Sequence, residues 1–396
     1  MKTRGQLNLK KISAVLPVPF IVVACGGGDG GSDNPPASGT LHVAMTDAPS
    51  CGFDHVYVTV NKVRVNSSSN AGDNDGGWTE IALPTPQKVD LLSLTNGVLF
   101  DIGRSPLPAG QYQQVRLVLN ANQGNTLANS VVVSGTTNEV PLATPSATQS
   151  GYKIIQPFTV PANTLVDLIL DFNACKSIVQ QGNGSYSLKP VITATPLTVS
   201  GTISGFLPAA QAGAAVYAEQ NGQIIRGTVA DSDGRFVLTP LVQSSTNGTY
   251  DVVVVDNKLP SGHATGIIRT VPVMASATTT VSTSAAPITL PTSVTNTVSG
   301  TTTPSAQASV RALQTISSVS YEIASTNANL DTGAYSLPLP AAAPLVGTYT
   351  PTLPITLSAA PVAGQYSVQA TSLSGAAQTG AVNVSGGSQS GVNFNF

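Results

Sequence analysis

The sequence has few charged and few aromatic side chains. Of its 396 residues, 9% are charged and 5% are aromatic, with one tryptophan and three histidines. Nucleic-acid binding needs clustered Lys and Arg, and this composition argues against it. Nucleophilic catalysis needs a base beside the nucleophile, but His42, His55 and His263 lie next to no recognisable nucleophile motif. The sequence therefore predicts a protein that is not an enzyme and has no catalytic residues.

Long apolar segments are also scarce. The clearest one, residues 12–24, is too short to cross a bilayer but is typical of a signal peptide. The basic residues in front of it are Lys2, Arg4, Lys10 and Lys11. It ends in Val22-Val23-Ala24-Cys25, and the whole arrangement resembles a bacterial lipoprotein signal. The resemblance implies cleavage after residue 24 and acylation of Cys25, including palmitate. The alternatives are an ordinary secretory signal and a disordered N-terminus in which the cysteine occurs by chance.

The lipoprotein resemblance also implies a location. Gly26 rather than Asp follows Cys25, which favours the outer membrane, on its periplasmic or its surface side. The chain has 17 basic and 19 acidic side chains, and cleavage removes basic ones only. The mature protein is therefore acidic, which argues against electrostatic attachment to anionic lipid. We expect contact with the membrane through the lipid anchor, with an envelope protein or a glycan as partner.

Cysteine is rare, with three residues in the chain. If Cys25 carries lipid, Cys51 and Cys175 remain. An even pair in an oxidising compartment predicts a disulfide, with two separate buried thiols as the alternative. The histidines and cysteines show no zinc spacing, so the sequence predicts no zinc site.

The abundant residues are Gly, Ser, Thr, Val and Pro, whereas the helix-favouring Glu, Lys and Arg are rare. This composition predicts an all-β protein, and the length predicts two or three domains. We expect tandem β-sandwich domains, immunoglobulin-like or transthyretin-like. They would follow the signal (1–24) and a flexible Gly-rich tether that begins at the lipidated cysteine (25–38).

The first predicted domain spans residues 39–197. Apolar residues alternate at 41–45 and 166–172, which predicts strands. The apolar phase shifts near Asn61-Lys62, which predicts a bulge or a bend. A polar loop is expected at 67–77. The segments 39–49, 56–65, 90–94, 107–119, 168–177 and 186–192 resemble the DUF4382 domain of bacterial proteins. That resemblance implies a β-sandwich in an exported lipoprotein and no particular activity.

Two further domains are predicted at 198–290 and 297–396. In the first of them, Gly227–Leu238 (GTVADSDGRFVL) resembles a carboxypeptidase-regulatory or collagen-adhesin B-type repeat, which implies a transthyretin-like spacer. Val298–Thr301 echoes Val199–Thr202, and Asp331–Leu337 echoes the DSDGRFVL turn, before a Pro/Ala-rich insertion at 337–361. Such duplication favours an elongated array. Residues 275–297 are expected to be an extended, partly disordered linker.

Two short acidic loops are the candidate ligand sites. Asp73-Asn74-Asp75-Gly76 and Asp231-Ser232-Asp233-Gly234 carry the oxygen ligands that calcium prefers, but neither has the Glu of an EF-hand at its twelfth position. Trp78 adjoins the first loop and could stack on a sugar. Asp73, Asp75 and Trp78 are therefore the candidate glycan or calcium loop. The alternatives are metal-free turns between strands and a packing role for Trp78.

A pair of carboxylates on one predicted strand, Asp167 and Asp171, has the wrong spacing for glycoside hydrolysis. Same-face strand residues four apart are separated by about 13–14 Å, too far for that chemistry. They are expected to be solvated or to be local hydrogen-bond partners. We therefore predict a non-enzymatic cell-envelope lipoprotein with a structural or interaction role and no cofactor. The alternative is a glycan- or calcium-binding accessory lipoprotein that uses loops of the first domain.

Overall fold

The chain folds almost entirely into β-strands, which confirms the predicted all-β class with tandem β-sandwich domains. The computed structural model describes residues 37–47, 52–189, 191–197, 200–305 and 308–396. Across these residues the strands form six sheets, grouped around three hydrophobic cores. No helix in the same ranges combines the length and the apolar character needed to span a bilayer.

The first domain is a sandwich of a four-stranded and an eight-stranded sheet. Its strands are β1 Ser38–Asp47, β2 Phe53–Asn66, β3 Thr79–Asp90, β4 Phe100–Pro108, β5 Gly110–Leu119, β6 Ser130–Val133, β7 Glu139–Ala143, β8 Tyr152–Val160, β9 Leu165–Phe172, β10 Ile178–Gln180, β11 Tyr186–Leu188 and β12 Ile192–Pro196. A 3₁₀ turn, Leu91–Ser93, follows β3, and a four-residue helix, α1 (Ala174–Ser177), follows β9. The sheet orders are β12-β9-β1-β4 and β10-β11-β7-β6-β2-β5-β8, with β3 also paired to β2.

Local sequence signals in this domain are confirmed. The alternating runs at 41–45 and 166–172 fall in β1 and β9, which pair in parallel, and the polar loop 67–77 separates β2 from β3. The pairing of β2 with β3 and β5 shifts register between Val60 and Lys62, at the predicted bulge. Alternation and a phase shift are local properties of the chain, so the sequence alone reveals them.

The second and third domains are smaller sandwiches. The strands of the second are β13 Ser200–Phe206, β14 Ala215–Gln220, β15 Gln223–Val229, β16 Arg235–Val242, β17 Tyr250–Val255, β18 Ser261–His263, β19 Gly266–Val271 and β20 Thr278–Thr280; its short helices are a 3₁₀ turn at Ala209–Gln211 and α2 at Ser244–Asn247. Those of the third are β21 Thr292–Thr303, β22 Ser309–Ile316, β23 Val319–Asn327, β24 Ala334–Pro340, β25 Leu345–Thr348, β26 Ser358–Ala359, β27 Gln365–Thr371, β28 Ala377–Asn383 and β29 Phe394–Asn395.

These two domains repeat one topology. The order β16-β13-β20 in the second domain matches β24-β21-β29 in the third, and β15-β14-β17-β19 matches β23-β22-β27-β28. The glycines that open the two repeats have the same surroundings. A Cβ at Gly201 would lie 2.1 Å from the Met274 carbonyl oxygen, and one at Gly300 would lie 1.8 Å from that of Val392. The two domains therefore share one strand order and one pattern of close backbone approach.

The second and third domains also exchange strands. Strand β18 pairs with β21 of the third domain, whereas β25, from the Pro/Ala-rich insertion, extends the sheet of the second domain beside β19. Four side chains of the insertion pack against the core of the second domain: Leu345, Tyr349, Ile355 and Leu357. The insertion is thus an integral part of the second sandwich.

The expectation of a partly disordered linker at 275–297 is wrong. Strand β20 lies within it and pairs in parallel with β13, and β21 begins at Thr292. Its few apolar residues explain the order, because Val281, Ile288 and Leu290 are buried in the core of the second domain. The Ser, Thr, Ala and Pro content of the segment gave no indication that these three residues are buried.

Candidate functional site at the junction of the three domains

Charged residues are almost missing from the third domain, and the few present point toward the other two. Arg311, Glu322 and Asp331 are the only charged side chains after Arg269. Arg311 donates to the Gly222 carbonyl of the second domain at 2.9 Å, and Glu322 pairs with a lysine of the first. Asp331 accepts from a backbone N–H of the first domain. The third domain therefore contacts the first as well as the second. In a simple elongated array it would contact the second alone.

Glu322 is the centre of this junction. It is fully buried on β23, and its carboxylate receives Lys176 Nζ of the first domain at 2.6 Å and Arg311 Nη1 at 3.3 Å. Helix α1 positions Lys176, because Asn173 Oδ1 caps the helix by accepting the Lys176 N–H at 3.0 Å. A buried carboxylate needs paired donors of this kind, since desolvation of an unpaired charge is costly.

A second buried carboxyl, Glu219 on β14, faces the first. Its Oε2 accepts the backbone N–H of Glu322 at 2.9 Å, while its Oε1 has no hydrogen-bond partner among the described residues. Burial raises the pKa of Glu219 well above its usual range. The Glu322 N–H and Lys176 oppose this rise, whereas the charges of Glu322 and Asp251 add to it. Glu219 is thus biased toward its neutral form in the folded state.

This bias predicts a pH dependence of stability. Because its folded-state pKa is raised, Glu219 contributes stability that is fully present below about pH 4.5, its usual pKa, and is lost as pH rises through the folded value. Glu219→Gln cannot ionise, so its free energy of unfolding relative to the wild type should rise from pH 5 to pH 8, by at most about 1.4 kcal/mol per pH unit. Urea unfolding at pH 5, 6.5 and 8 measures this. Glu80→Gln, at an exposed position, is the control, and a constant difference for Glu219→Gln would contradict the prediction.

The first and second domains meet across a buried ion pair. Arg226 of β15 contacts the Asp171 carboxylate of β9, and both residues are at least 95% buried. Arg226 also donates to the Pro240 carbonyl at 3.2 Å and to Thr195 Oγ1 at 3.4 Å. Burial raises the pKa of Asp171, although the Arg226 charge opposes this. The expectation of a solvated or merely local role is wrong for Asp171, because the second domain covers this end of the sheet.

Asp167, four residues earlier on the same face, does have a local role. Its carboxylate lies 2.6 Å from His42 Nδ1, and Asp101 lies 3.0 Å from His42 Nε2. The other histidines also contact carboxylates, His55 at Asp90 (2.7 Å) and His263 at Asp256 (2.6 Å). The contacts described for the three imidazole rings thus include carboxylates in every case.

A cavity of about 410 Å³ opens where the three domains meet. Its apolar wall includes Val255 and Ile323, and its polar wall includes Tyr217, Asp256 and Lys258. Burial raises the pKa of the Tyr217 hydroxyl well above its usual range, and nearby carboxyls raise it further, so this hydroxyl is neutral. A concave site with mixed walls and convergent polar groups is typical of small-molecule binding.

The predicted ligand loop of the first domain lies elsewhere and is organised by arginines. The Asp73 carboxylate pairs with Arg116, and Asp75 Oδ2 accepts the Gly72 N–H at 2.8 Å. The Arg64 and Arg116 guanidinium carbons lie 4.5 and 4.8 Å from the centre of the Trp78 ring. The structure thus brings Asp73, Asp75 and Trp78 together, but other parts of the protein already contact both carboxylates and the ring.

The second acidic loop forms a turn. Asp231 Oδ1 accepts the backbone N–H groups of Asp233 at 3.0 Å and Arg235 at 2.8 Å. Among the residues that the structure describes, no cluster of His, Cys, Asp and Glu is suited to hold a metal ion. Calcium binding by either loop and glycan binding by the first loop stay predictions.

The predictions that involve cysteine fall outside the described part of the chain. Cys25, Cys51 and the side chain of Cys175 lie outside the described residues, and so do the signal and most of the tether. The lipidation site and the disulfide therefore stay predictions.

The junction residues were not among the sequence-based candidates. Glu219, Arg226 and Glu322 each interrupt an otherwise apolar or small-residue strand, in AVYAEQ, QIIRGTV and VSYEIASTN. A charge inside such a strand in a chain this poor in charge is the signal that could have identified them, since charged residues are rarely buried unless paired.

The fold defines an all-β protein built from tandem sandwiches, and comparison identifies its first domain. Residues 38–190 match the family described as a domain of unknown function, DUF4382, so the resemblance seen in the sequence is confirmed for that part of the chain. No curated protein matches the sequence.

Among the solved structures with detectable similarity are two bacterial surface proteins. One is the minor pilin GBS52 of Streptococcus agalactiae, with 13% identity, coverage of 63% of this chain and 95% of that chain, and a TM-score of 0.18. The other is a Ca²⁺-stabilised adhesin that helps an Antarctic bacterium bind ice, with 10% identity, coverage of 89% and 75%, and a TM-score of 0.15.

Proposed function

We propose that this protein is a non-enzymatic lipoprotein of the cell envelope that acts as a structural or interaction module. In this proposal the lipid on Cys25 attaches the chain to the membrane, most simply the outer membrane. The three sandwiches beyond the tether meet the partner as one body. The carboxypeptidase-regulatory-like resemblance of the second domain and its repeat fits such a role, because repeats of that kind are spacers.

One observation carries the proposal. Few charged residues occur in the chain, yet two ion pairs, Arg226–Asp171 and Lys176–Glu322, join neighbouring domains. Arg311 also pairs with Glu322, within the third domain. These side chains are buried or partly buried. Together with the exchanged strands β18 and β25, these contacts resist independent motion of the domains. A protein that holds a fixed surface away from a membrane benefits from such rigidity, because a preorganised surface loses less entropy on binding.

Substitution of the lipidation site tests the anchor. We expect Cys25→Ala to move the protein from the membrane fraction to the soluble fraction, because acyl chains on Cys25 provide the attachment. Fractionation of cells with immunodetection, together with incorporation of labelled palmitate, measures this. Cys51→Ala is the matched control and should stay with the membrane. Retention of Cys25→Ala in the membrane fraction would contradict the anchor.

Crosslinking in intact cells tests the interaction role. The wild type should capture one or a few defined envelope components, and Cys25→Ala should lose them because it is displaced from the membrane. Capture of only the abundant lipoproteins, in equal amounts by both forms, would count against an interaction role. A robust hydrolytic activity that disappears in His55→Ala would replace the proposal with an enzymatic one.

A further inference from the structure

A second cavity lies on the other side of the Glu322 network. Its volume is about 310 Å³, and all three domains contribute to its wall. Lys176 and Lys189 come from the first domain, Gln223 from the second, and Arg311 and Gln369 from the third. Cationic groups therefore converge from two separate domains on one small space.

The charges around this cavity do not balance. Glu322 is the one carboxylate among the described lining residues, and Lys176 and Arg311 already share it. The Lys189 ammonium has no ion-pair or hydrogen-bond partner among the described residues, although its backbone N–H bonds to the Ser177 carbonyl at 2.7 Å. An ammonium group has three donors, and Lys176 uses only part of its set on Glu322. The cavity thus carries excess positive charge and free donors.

This excess is notable in a chain with more acidic than basic residues. Like charges held close together in a partly desolvated space repel one another, and a bound anion relieves that repulsion. Arg311 donates to Gln369 Oε1 and to the Gly222 carbonyl, both at 2.9 Å, and these bonds hold its guanidinium at the cavity wall. The arrangement is preorganised for an anion.

The other lining residues indicate the chemical class of the molecule that bears the anionic group. Apart from Val191 and Val310, the remaining lining residues bear hydroxyl or amide groups, such as Ser309, Thr371 and Asn327. Aromatic side chains are missing from the described wall, so a ligand would be recognised by charge and hydrogen bonds rather than by stacking. The volume lies at the lower end of the range for small-molecule pockets.

We propose that this cavity binds an acidic sugar unit, whose carboxylate or phosphate lies between Lys176 and Lys189 and whose hydroxyls bond to the hydroxyl and amide wall. This inference goes beyond the proposed function and does not depend on it, because the cavity is formed by the three folded domains whatever attaches the chain. Loss of lipidation in Cys25→Ala should leave the binding unchanged.

Calorimetric titration of the full mature chain tests the site. The probes are glucuronate for the carboxylate, glucose 6-phosphate for the phosphate, and glucose as the neutral sugar; inorganic phosphate separates a sugar site from a simple anion site. We expect one of the acidic sugars to bind and glucose not to bind detectably. Affinity should fall as sodium chloride is raised from 50 to 300 mM, because the attraction is screened.

Lys189→Gln is the decisive variant, since it removes the unpaired charge without breaking a described ion pair. Affinity should fall at least about tenfold, the usual effect of losing a charge-assisted hydrogen bond. Lys153→Gln, on β8 of the same domain, should bind like the wild type. Thermal unfolding of each variant checks that it is folded. Three results would overturn the proposal. They are equal affinity of Lys189→Gln and the wild type, tighter binding of glucose or inorganic phosphate than of the acidic sugars, and no detectable binding of either acidic sugar.

Discussion

Replacing Arg226 with Met should lower the free energy of unfolding by about 3–5 kcal/mol, because it leaves the Asp171 carboxylate buried without its partner. The pair joins β15 of the second domain to β9 of the first, and each residue is at least 95% buried. Met retains much of the apolar stem of Arg, so the loss reports mainly on the charge. Urea denaturation followed by circular dichroism measures it.

A control variant and a double variant show whether the loss of stability comes from the buried ion pair or from any substitution on this face of the sheet. Asp167→Asn lies on the same strand and face but is partly exposed, and it should cost no more than about 1 kcal/mol. The double variant Arg226→Met, Asp171→Leu removes both charges and should recover most of the stability, since buried ion pairs can often be replaced by apolar residues. Equal losses in the single and double variants would show that the ion pair is not the cause.

Removing the inserted strand of the third domain should destabilise the second domain by about 4 kcal/mol. If a short Gly-Ser link replaces residues 345–359, strand β19 becomes a sheet edge and the core loses four partly buried apolar side chains. Each such side chain contributes on the order of 1 kcal/mol when half buried. The Phe236 side chain, at the centre of that core, offers a position for a fluorescent reporter through Phe236→Trp.

Point variants keep this test valid if the deletion fails to fold. Leu357→Asn should destabilise the second domain by about 1–2 kcal/mol. Leu373→Asn, at a position of the third domain that is 66% exposed, should have little effect. A fragment of residues 198–290 should be much less stable than one of 198–396, because only the longer one contains the inserted strand. A fully stable 198–290 fragment would show that the exchanged strand is dispensable.

The features of the fold that could be predicted from the sequence are those that depend on neighbouring residues. The bulge at Val60–Lys62 and the turn at Asp231–Gly234 depend on neighbouring residues, and both were predicted. The pairing of β25 with β19 depends on residues about 80 positions apart, and no local pattern encodes it. The same limit explains the linker at 275–297, where three buried apolar residues determine the structure against the composition.

The candidate site shows the same division. Asp73, Asp75 and Trp78 could be grouped because they are adjacent in sequence, but their partners Arg64 and Arg116 come from β2 and β5. Asp167 and Asp171 were indistinguishable in the sequence, four residues apart on one strand. Only the docking of the second domain makes one a surface partner of His42 and the other a buried partner of Arg226.

The claim that the three domains act as one body is tested most directly by differential scanning calorimetry of the mature chain. The buried pairs Arg226–Asp171 and Lys176–Glu322 and the exchanged strands predict one cooperative transition for the wild type, with calorimetric and van't Hoff enthalpies that agree. In Arg226→Met the first domain should separate into a transition of its own. Three independent transitions in the wild type, unchanged by Arg226→Met, would contradict the claim.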